Sequence, residues 1–330
     1  MYDVIIIGAG IAGLSAGLYC SRLKMKTLII SKDIGGQLTL APEIQNYPGF
    51  ASIRGFDLIM RIYNQIKSLS IDMVYDEVTK IEEEDEQFVV YTTSNQKFTA
   101  LSLILAFGKS PRELNVPGEQ EFRGKGVSYC AICDAPLYKG KTVALAGIGD
   151  AGIHAAIVLS DVVNKCHWVF PTPTPTQDLD LLEAIKSRNN LKLYPNSRII
   201  EIKGDKRVTA IVIENIKTKE KTQINVNGVF IEMGYIPKTS FVKGFVQLND
   251  KGEIIVNEVC ETSRKGVFAA GDVTNMPYKQ AIISAGQGAV AALSAYNYVA
   301  QIKGYRQISR EWSHISNKQH EKKGGLFFKV

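Results

Sequence analysis

Two glycine-rich turns, each fitted between a run of β-formers and a helical stretch, constrain most of what this chain can fold into. The first is Gly8-Ala9-Gly10-Ile11-Ala12-Gly13, preceded by the strand-like Tyr2-Asp3-Val4-Ile5-Ile6-Ile7 and followed by a helical pattern over 14–23. The second is Gly147-Ile148-Gly149-Asp150-Ala151-Gly152, between a strand predicted over 142–146 and a helix over 153–163. In such a unit the first glycine allows the tight turn and the second lets backbone amides approach a pyrophosphate, while the third lets the helix pack on its strand. One isolated G-x-G-x-x-G says little. Two in this context predict an α/β chain with two Rossmann-like nucleotide-binding domains.

A length of 330 residues suits roughly two domains, each able to bury a core without disulfide staples or a structural metal. With 45% hydrophobic and 22% charged residues, the composition is that of a soluble globular protein. The apolar run over 5–16 is broken by Gly8, Gly10 and Gly13, so nothing reaches the ~18 to 20 residues needed to cross a bilayer. The N-terminus opens as a buried strand without a basic n-region, and the expected location is the cytoplasm, with no membrane partner. A net charge of +6 favours acidic partners such as small redox carriers. Nucleic acid would fit the sign, but no basic-aromatic interleaving supports it, and none is expected.

The second nucleotide unit ends near Gly234-Tyr235-Ile236-Pro237. Between the two glycine turns, 82–85 reads as an acidic hairpin and 111–118 as a polar, proline-marked link. Later, a strand-like 253–256 precedes Gly266-Val267-Phe268-Ala269-Ala270-Gly271-Asp272-Val273, a strand ending in a glycine turn and a carboxylate, and 280–300 is an alanine-rich helix. A Gly-Asp turn so late in the chain suggests that the second domain is inserted into the first. The expected division is 1–112 and 245–310 for the outer domain, 113–244 for the inserted one, and a tail over 311–330. Two linkers then cross the boundary, which favours hinge rotation.

Just ahead of the second turn stands Cys130-Ala131-Ile132-Cys133-Asp134, which holds the only cysteine pair with redox spacing. Thiol exchange needs one thiolate to attack a disulfide and a second to resolve the mixed disulfide, and two intervening residues place both sulfurs in bonding reach at a helix start. Asp134 is placed to protonate or deprotonate the nearer thiol. The competing reading, half a metal site, lacks a second C-x-x-C or a nearby histidine, and no metal is expected. Cys20, Cys166 and Cys260 read as buried spectators. Asp150 and His154 read as first-turn helix residues.

At these residues the chain resembles the low-molecular-weight thioredoxin reductases, over about residues 1–305. The resemblance is carried by 8–13, Gly35-Gly36-Gln37-Leu38, Asn46-Tyr47-Pro48-Gly49, the Cys130 to Asp134 segment, 266–273, and Gln280-Ala281 with Ser284-Ala285-Gly286. It implies FAD in the discontinuous domain, with Gly8, Gly10, Ala12 and Gly13 at the pyrophosphate turn. Gly36, Gln37, Asn46, Gly271, Gln280 and Ala281 would line the cofactor, and Asp272 would bond its ribityl chain or phosphate. A helix start after Asp272 would aim its positive end at the flavin. The resemblance further implies that Cys130 attacks the partner and Cys133 faces the flavin, that the partner is a thioredoxin-like protein, and that the chain is a homodimer. Ala106-Phe107-Gly108 stands where the family usually has Ala-Thr-Gly, a difference expected to alter packing more than binding.

The reductant departs from the family pattern. Members that use NADPH follow the second strand with a His-Arg-Arg stretch and a further Arg, which hold the 2′-phosphate. Here that stretch is Val169-Phe170-Pro171-Thr172-Pro173-Thr174-Pro175-Thr176, with no cation and no carboxylate to select NADH. His154 and Ala155 replace a pair that is commonly acidic. Losing two Arg–phosphate contacts at ~1.5 to 3 kcal/mol each costs several kcal/mol, unless Lys186 or Arg188 substitutes. The donor stays open among NADPH or NADH bound weakly, reduced ferredoxin and reduced free flavin. A dithiol oxidase passing electrons from a small dithiol to oxygen also suits a degraded nucleotide site. A non-catalytic flavin-binding regulator would not need an intact cysteine pair. In the tail, Trp312, His314, Phe327 and Phe328 among Lys318, Lys322 and Lys323 read either as a solvated terminus or as an aromatic cover for the flavin.

Overall fold

The computed structural model describes residues 1–308 apart from Pro42 and Gln177, so the tail over 311–330 lies outside the described residues. The chain runs β1 (Tyr2–Gly10), α1 (Ile11–Arg22), β2 (Thr27–Gly35), α2 (Gly55–Lys67), β3 (Ile71–Val74), β4 (Val78–Glu84), β5 (Gln87–Thr92) and β6 (Lys97–Leu105). It continues with β7 (Ser110–Pro111), β8 (Val127–Ser128), α3 (Ala131–Asp134), β9 (Thr142–Ala146), α4 (Gly149–Val162), β10 (Lys165–Val169), α5 (Leu179–Lys186) and β11 (Leu191–Tyr194). Then come β12 (Ser197–Gly204), β13 (Val208–Asn215), β14 (Lys221–Asn225), β15 (Gly228–Ile231), β16 (Tyr235–Ile236), β17 (Val267–Ala269) and α6 (Ala281–Lys303).

These elements form two compact units. One holds Met1–Thr39, Glu43–Lys109 and the chain from Pro237 onward; the other holds Leu40–Pro42 and Ser110–Ile236. The expected boundaries at 112/113 and 244/245 therefore fall at 109/110 and 236/237. The later cut moves because Val242 and Val246 are buried in the first unit's core, with Phe241 and Phe245 packed against it. The Phe107 and Phe241 rings lie 4.9 Å apart.

In the first unit the sheet order is β3-β2-β1-β6-β5-β4, with β17 also on β6. β1 is parallel to both β2 and β6, and Val4, Ile5 and Ile6 are fully buried, as strands covered on both faces require. The free edge of β6 serves two partners. Its first half pairs antiparallel with β5, through Ala100 opposite Phe88, and its second half pairs parallel with β17, through Leu103 opposite Val267. The acidic segment near 82–85 is the turn of the β4–β5 hairpin, where Asp85 and Glu86 both take positive φ (48° and 61°), as a tight hairpin turn demands. α6 crosses α1 so closely that a Cβ on Gly288 would lie 2.1 Å from the Ala12 carbonyl oxygen.

Two expectations for this unit need correction. Residues 253–256 form no strand, only isolated bridges at Ile254, and the Asn249 side chain takes the Glu253 amide and turns the chain back. No helix starts after Asp272. The Thr274 amide and hydroxyl both bond the Gly271 carbonyl, closing a turn, and Pro277 biases the preceding residue away from helix. The next helix is α6, whose N-cap is Gln280.

In the second unit a parallel sheet of order β11-β10-β9-β15-β8 is accompanied by the antiparallel β12-β13-β14 and the ribbon β16-β7. That ribbon pairs Ser110 with Ile236, so the segments by which the chain enters and leaves the unit run side by side. No helix among the described residues is long and apolar enough to cross a membrane.

Candidate functional site

The first unit brings the eleven residues proposed for the cofactor into one connected set. Gly10 caps α1 in an extended conformation, and no side chain takes the helix's first amides. Those N–H groups and the positive helix end suit an anion. A Cβ on Gly10 would meet nothing within 4 Å, whereas one on Gly8 would sit 2.5 Å from the Ala106 carbonyl oxygen and one on Gly13 would sit 1.9 Å from that of Gly8. Gly8 and Gly13 close the turn, and Gly10 leaves its outer face bare. Gly36, at φ 54°, approaches Gly10, and Gly271, at φ 82°, lies against Ala12. The buried Gln287 side chain accepts the Gly271 amide at 3.0 Å.

Side chains then tie the remaining segments together. Gln37 donates from Nε2 to the Lys109 carbonyl at 2.8 Å, and Asn46 donates from Nδ2 to Gln280 Oε1 at 3.0 Å. Asp272 accepts from the Ser284 hydroxyl at 3.2 Å, which holds its carboxylate at the first turn of α6, where Ala281 is the first helical residue. So a helix's positive end does stand near Asp272, although it belongs to α6. A bare backbone cradle facing free amides is the feature a dinucleotide pyrophosphate requires, and these residues fit FAD.

Lys109, bonded by Gln37, also belongs to a charged cluster that sequence reasoning missed. Glu253 accepts from Lys109 at 2.9 Å and Lys279 at 3.2 Å, and Asn249 donates to its other oxygen at 2.9 Å. The three ions sit far apart in sequence with no motif around them. Burial pushes the Glu253 carboxyl up, but its bonds to Lys109, Asn249 and Lys279 outweigh that and hold it at about 2, against an ordinary value of 4.5. A depressed carboxyl contributes stability that is present above its unfolded value and is lost as pH falls through the folded one. The wild type should therefore lose this contribution between about pH 4.5 and 2. Glu253→Gln should flatten the acid limb of a melting-temperature profile in that window, and an unchanged limb would contradict the assignment.

The second unit carries the redox pair. Cys130 caps α3 and is disulfide-bonded to Cys133, with the Cα atoms 5.4 Å apart. The Cys133 amide reaches Cys130 Sγ at 3.3 Å. Asp134 ends this short helix, half-buried, and adds to the burial that raises the Tyr138 hydroxyl. Ile132, between the two cysteines, and Leu137, just after α3, leave 49% and 69% of their surface exposed, apolar surface beside the disulfide in the chain. Cys20, Cys166 and Cys260 are all buried, and burial pushes the Cys166 thiol up to about 12 and the Cys260 thiol to about 11. Thiols so raised do not ionise near neutrality and are poor nucleophiles.

A further residue at this pair escaped the sequence. Glu232, just past β15, accepts the Ala131 amide at 2.6 Å. Its only trace in the sequence is a carboxylate closing the apolar run Gly228-Val229-Phe230-Ile231.

The second glycine turn is built like the first, with its cradle engaged by the chain itself. The Trp168 indole pins the Gly147 carbonyl at 2.9 Å. The Gly149 amide, first in α4, donates to the carbonyl of Pro175 at 3.4 Å, so the Pro-Thr loop lies against the amides a pyrophosphate would need. That loop is braced by Thr172 Oγ1 donating to the Thr174 carbonyl and by the Asn196 amide donating to that of Thr172. Arg188 donates to Asp161 at 2.5 Å and to Ser160 and Ile157, near the C-terminal end of α4. About eight to twelve residues at 1.5 Å each separate that end from the glycine turn. The side chain of Lys186 lies outside the described residues. Asp150 and His154 are exposed on α4. Among the described residues, no group of three or more His, Cys, Asp or Glu is arranged to hold a metal ion.

Comparison with known proteins bears on the same residues. The sequence profile of the pyridine nucleotide-disulphide oxidoreductases matches residues 2–291. NADH dehydrogenase of Bacillus subtilis is 37% identical over 90% of this chain, which spans only 58% of that protein. Among solved structures, Lactococcus lactis thioredoxin reductase in its FR conformation superposes with a TM-score of 0.72 at 33% identity, covering 91% of this chain and all (100%) of that one. A ferredoxin-flavin thioredoxin reductase of Clostridium acetobutylicum gives 0.52 at 32% identity, covering 92% of this chain and 98% of that one.

Proposed function

Because the chain belongs to the pyridine nucleotide-disulphide oxidoreductase family, on its low-molecular-weight thioredoxin-reductase branch, we propose that it passes two electrons from FAD through Cys130–Cys133 to the disulfide of a thioredoxin-like protein. The observation that carries this is the disulfide at the start of α3, with the exposed Ile132 and Leu137 beside it in the chain. FAD, which Gly8, Gly10, Ala12, Gly13, Gly36, Gln37, Asn46, Gly271, Asp272, Gln280 and Ala281 would hold, would supply the two-electron store. The reduced pair does the exchange. Cys130 attacks the partner disulfide and releases one partner thiol, then Cys133 attacks Cys130 and releases the other, so one disulfide forms as one breaks. Asp134, within the same helix, handles the proton that the nearer thiol gives up. The enzyme would act in the cytoplasm as a homodimer, in line with the family resemblance.

The donor in this reading is a one- or two-electron carrier that does not use the second glycine turn, reduced ferredoxin or reduced flavin, with NADPH or NADH at best weak. Support comes from the Gly149–Pro175 bond and the cation-free loop over 169–176. Anaerobic addition of NADPH, then NADH, should leave the flavin absorbance unchanged while dithionite bleaches it. Rapid bleaching by either nucleotide would restore an ordinary nucleotide-dependent reductase. The same closed turn favours one second reading, flow from a small dithiol through the pair to oxygen. Hydrogen peroxide formed from dithiothreitol in air, at a rate matching thiol loss, would mark it.

A further inference from the structure

We propose that Glu232 sets the redox balance of the Cys130–Cys133 couple, acting through the Ala131 amide to make the dithiol more reducing. The inference rests on reading this pair as the redox site. Glu232 directly follows β15 and is fixed to the end of β9. Its own amide donates to the Ala146 carbonyl at 2.7 Å, and its carbonyl lies where a Cβ on Gly147 would approach to 2.1 Å. From that fixed base its carboxylate reaches Ala131, between the two cysteines.

At a helix start, the first amides and the positive end stabilise a capping cysteine as thiolate, and a stabilised thiolate makes the couple more oxidising. Here the Cys133 amide remains directed at Cys130 Sγ, but the Ala131 amide is taken by a carboxylate. That carboxylate also adds a second negative charge beside the sulfur that must ionise. Both effects raise the free energy of the thiolate. The reduced pair then yields its electrons more readily, which is the direction needed to reduce another protein's disulfide.

The surroundings keep this carboxylate close to the couple. Burial pushes the Glu232 carboxyl above its ordinary value, and the bond from the Ala131 amide pulls it part of the way back. Tyr235 faces it, with its hydroxyl raised by burial and by Glu232, and donating to the Tyr129 carbonyl at 3.5 Å. Asp134 lies on α3 itself, and Asp150 and His154 on the adjoining α4 are exposed and screened by solvent.

The test uses the purified flavoprotein in dithiothreitol redox buffers, with the fraction of reduced Cys130 and Cys133 read by alkylation and mass mapping, and the Cys130 alkylation rate followed against pH. Glu232→Gln keeps the acceptor oxygen and removes the charge; Glu232→Ala removes both. Each should shift the equilibrium roughly tenfold toward the dithiol, about 30 mV for a two-electron couple, and move the alkylation profile to lower pH. If Glu232→Gln matches wild type while Glu232→Ala shifts, Glu232 is a cap without electrostatic effect and the proposal fails. If neither shifts, it fails outright. A wild-type pair that does not cycle in these buffers would instead overturn the redox reading of Cys130–Cys133.

Discussion

Cys133→Ser should give a folded, yellow protein that turns over no disulfide substrate, with the rate lowered on the order of 10³-fold or more. The size follows from chemistry rather than packing. A single thiol can open the partner's disulfide but cannot release the mixed disulfide it forms, so exchange stops after one event. The fold should tolerate the change, because Cys133 is only half-buried and the packing of this segment rests on the buried Ala131 and Ala135. In the variant, Cys130 is left to trap its partner, and a covalent complex with oxidised thioredoxin should persist on a non-reducing gel. A complex formed by Cys130→Ser and not by Cys133→Ser would exchange the two roles.

Gly13→Ala should give colourless, destabilised protein. Its new methyl would lie 1.9 Å from the Gly8 carbonyl oxygen, with the Ala106 side chain 3.5 Å away, and backbone cannot yield as a flexible side chain would. α1 must move off β1. That displaces Ala12 from Gly288 on α6 and opens the amide cradle at Gly10. Overpacking of this kind costs ~1 to 3 kcal/mol or more, and the stabilisation from bound cofactor is lost as well. The contrast is Gly10→Ala, whose Cβ meets no protein atom within 4 Å. It should melt near wild type when both are stripped of flavin, yet bind FAD more weakly because its methyl projects into the cradle. The ratio of flavin to protein absorbance and a melting curve separate these outcomes. Tight flavin binding by both variants would remove the pyrophosphate from this turn.

What was legible in the sequence was local. The glycine turns show themselves because a close-packed strand–turn–helix admits no side chain at Gly8, Gly13, Gly147 or Gly152, and the flanking apolar runs state the rest. The cysteine pair is legible for the same reason, since its chemistry depends on spacing within five residues. Contacts that join distant segments left no such mark. Glu232 meets Ala131 across 101 residues. Lys109, Glu253 and Lys279 converge with no periodicity to announce them. The helix expected after Asp272 failed because its short turn is settled by Thr274 and Pro277, while the positive helix end near Asp272 comes from α6. The missing cations over 169–176 could be read directly, but not that Pro175 itself would engage the Gly149 amide.

The shared edge of β6 also dictates an order of events during synthesis. Ser102 donates to the Gly266 carbonyl across 164 residues, and β17 completes the sheet beside it. At the ~5 to 20 residues per second of a ribosome, the second half of that edge stands open for roughly ten to thirty seconds. During that interval the entire inserted unit emerges, and it can close its own parallel sheet before the outer one is finished. The outer unit thus begins first and ends last, and its unpaired edge is the part of the nascent chain most in need of protection from a neighbouring strand.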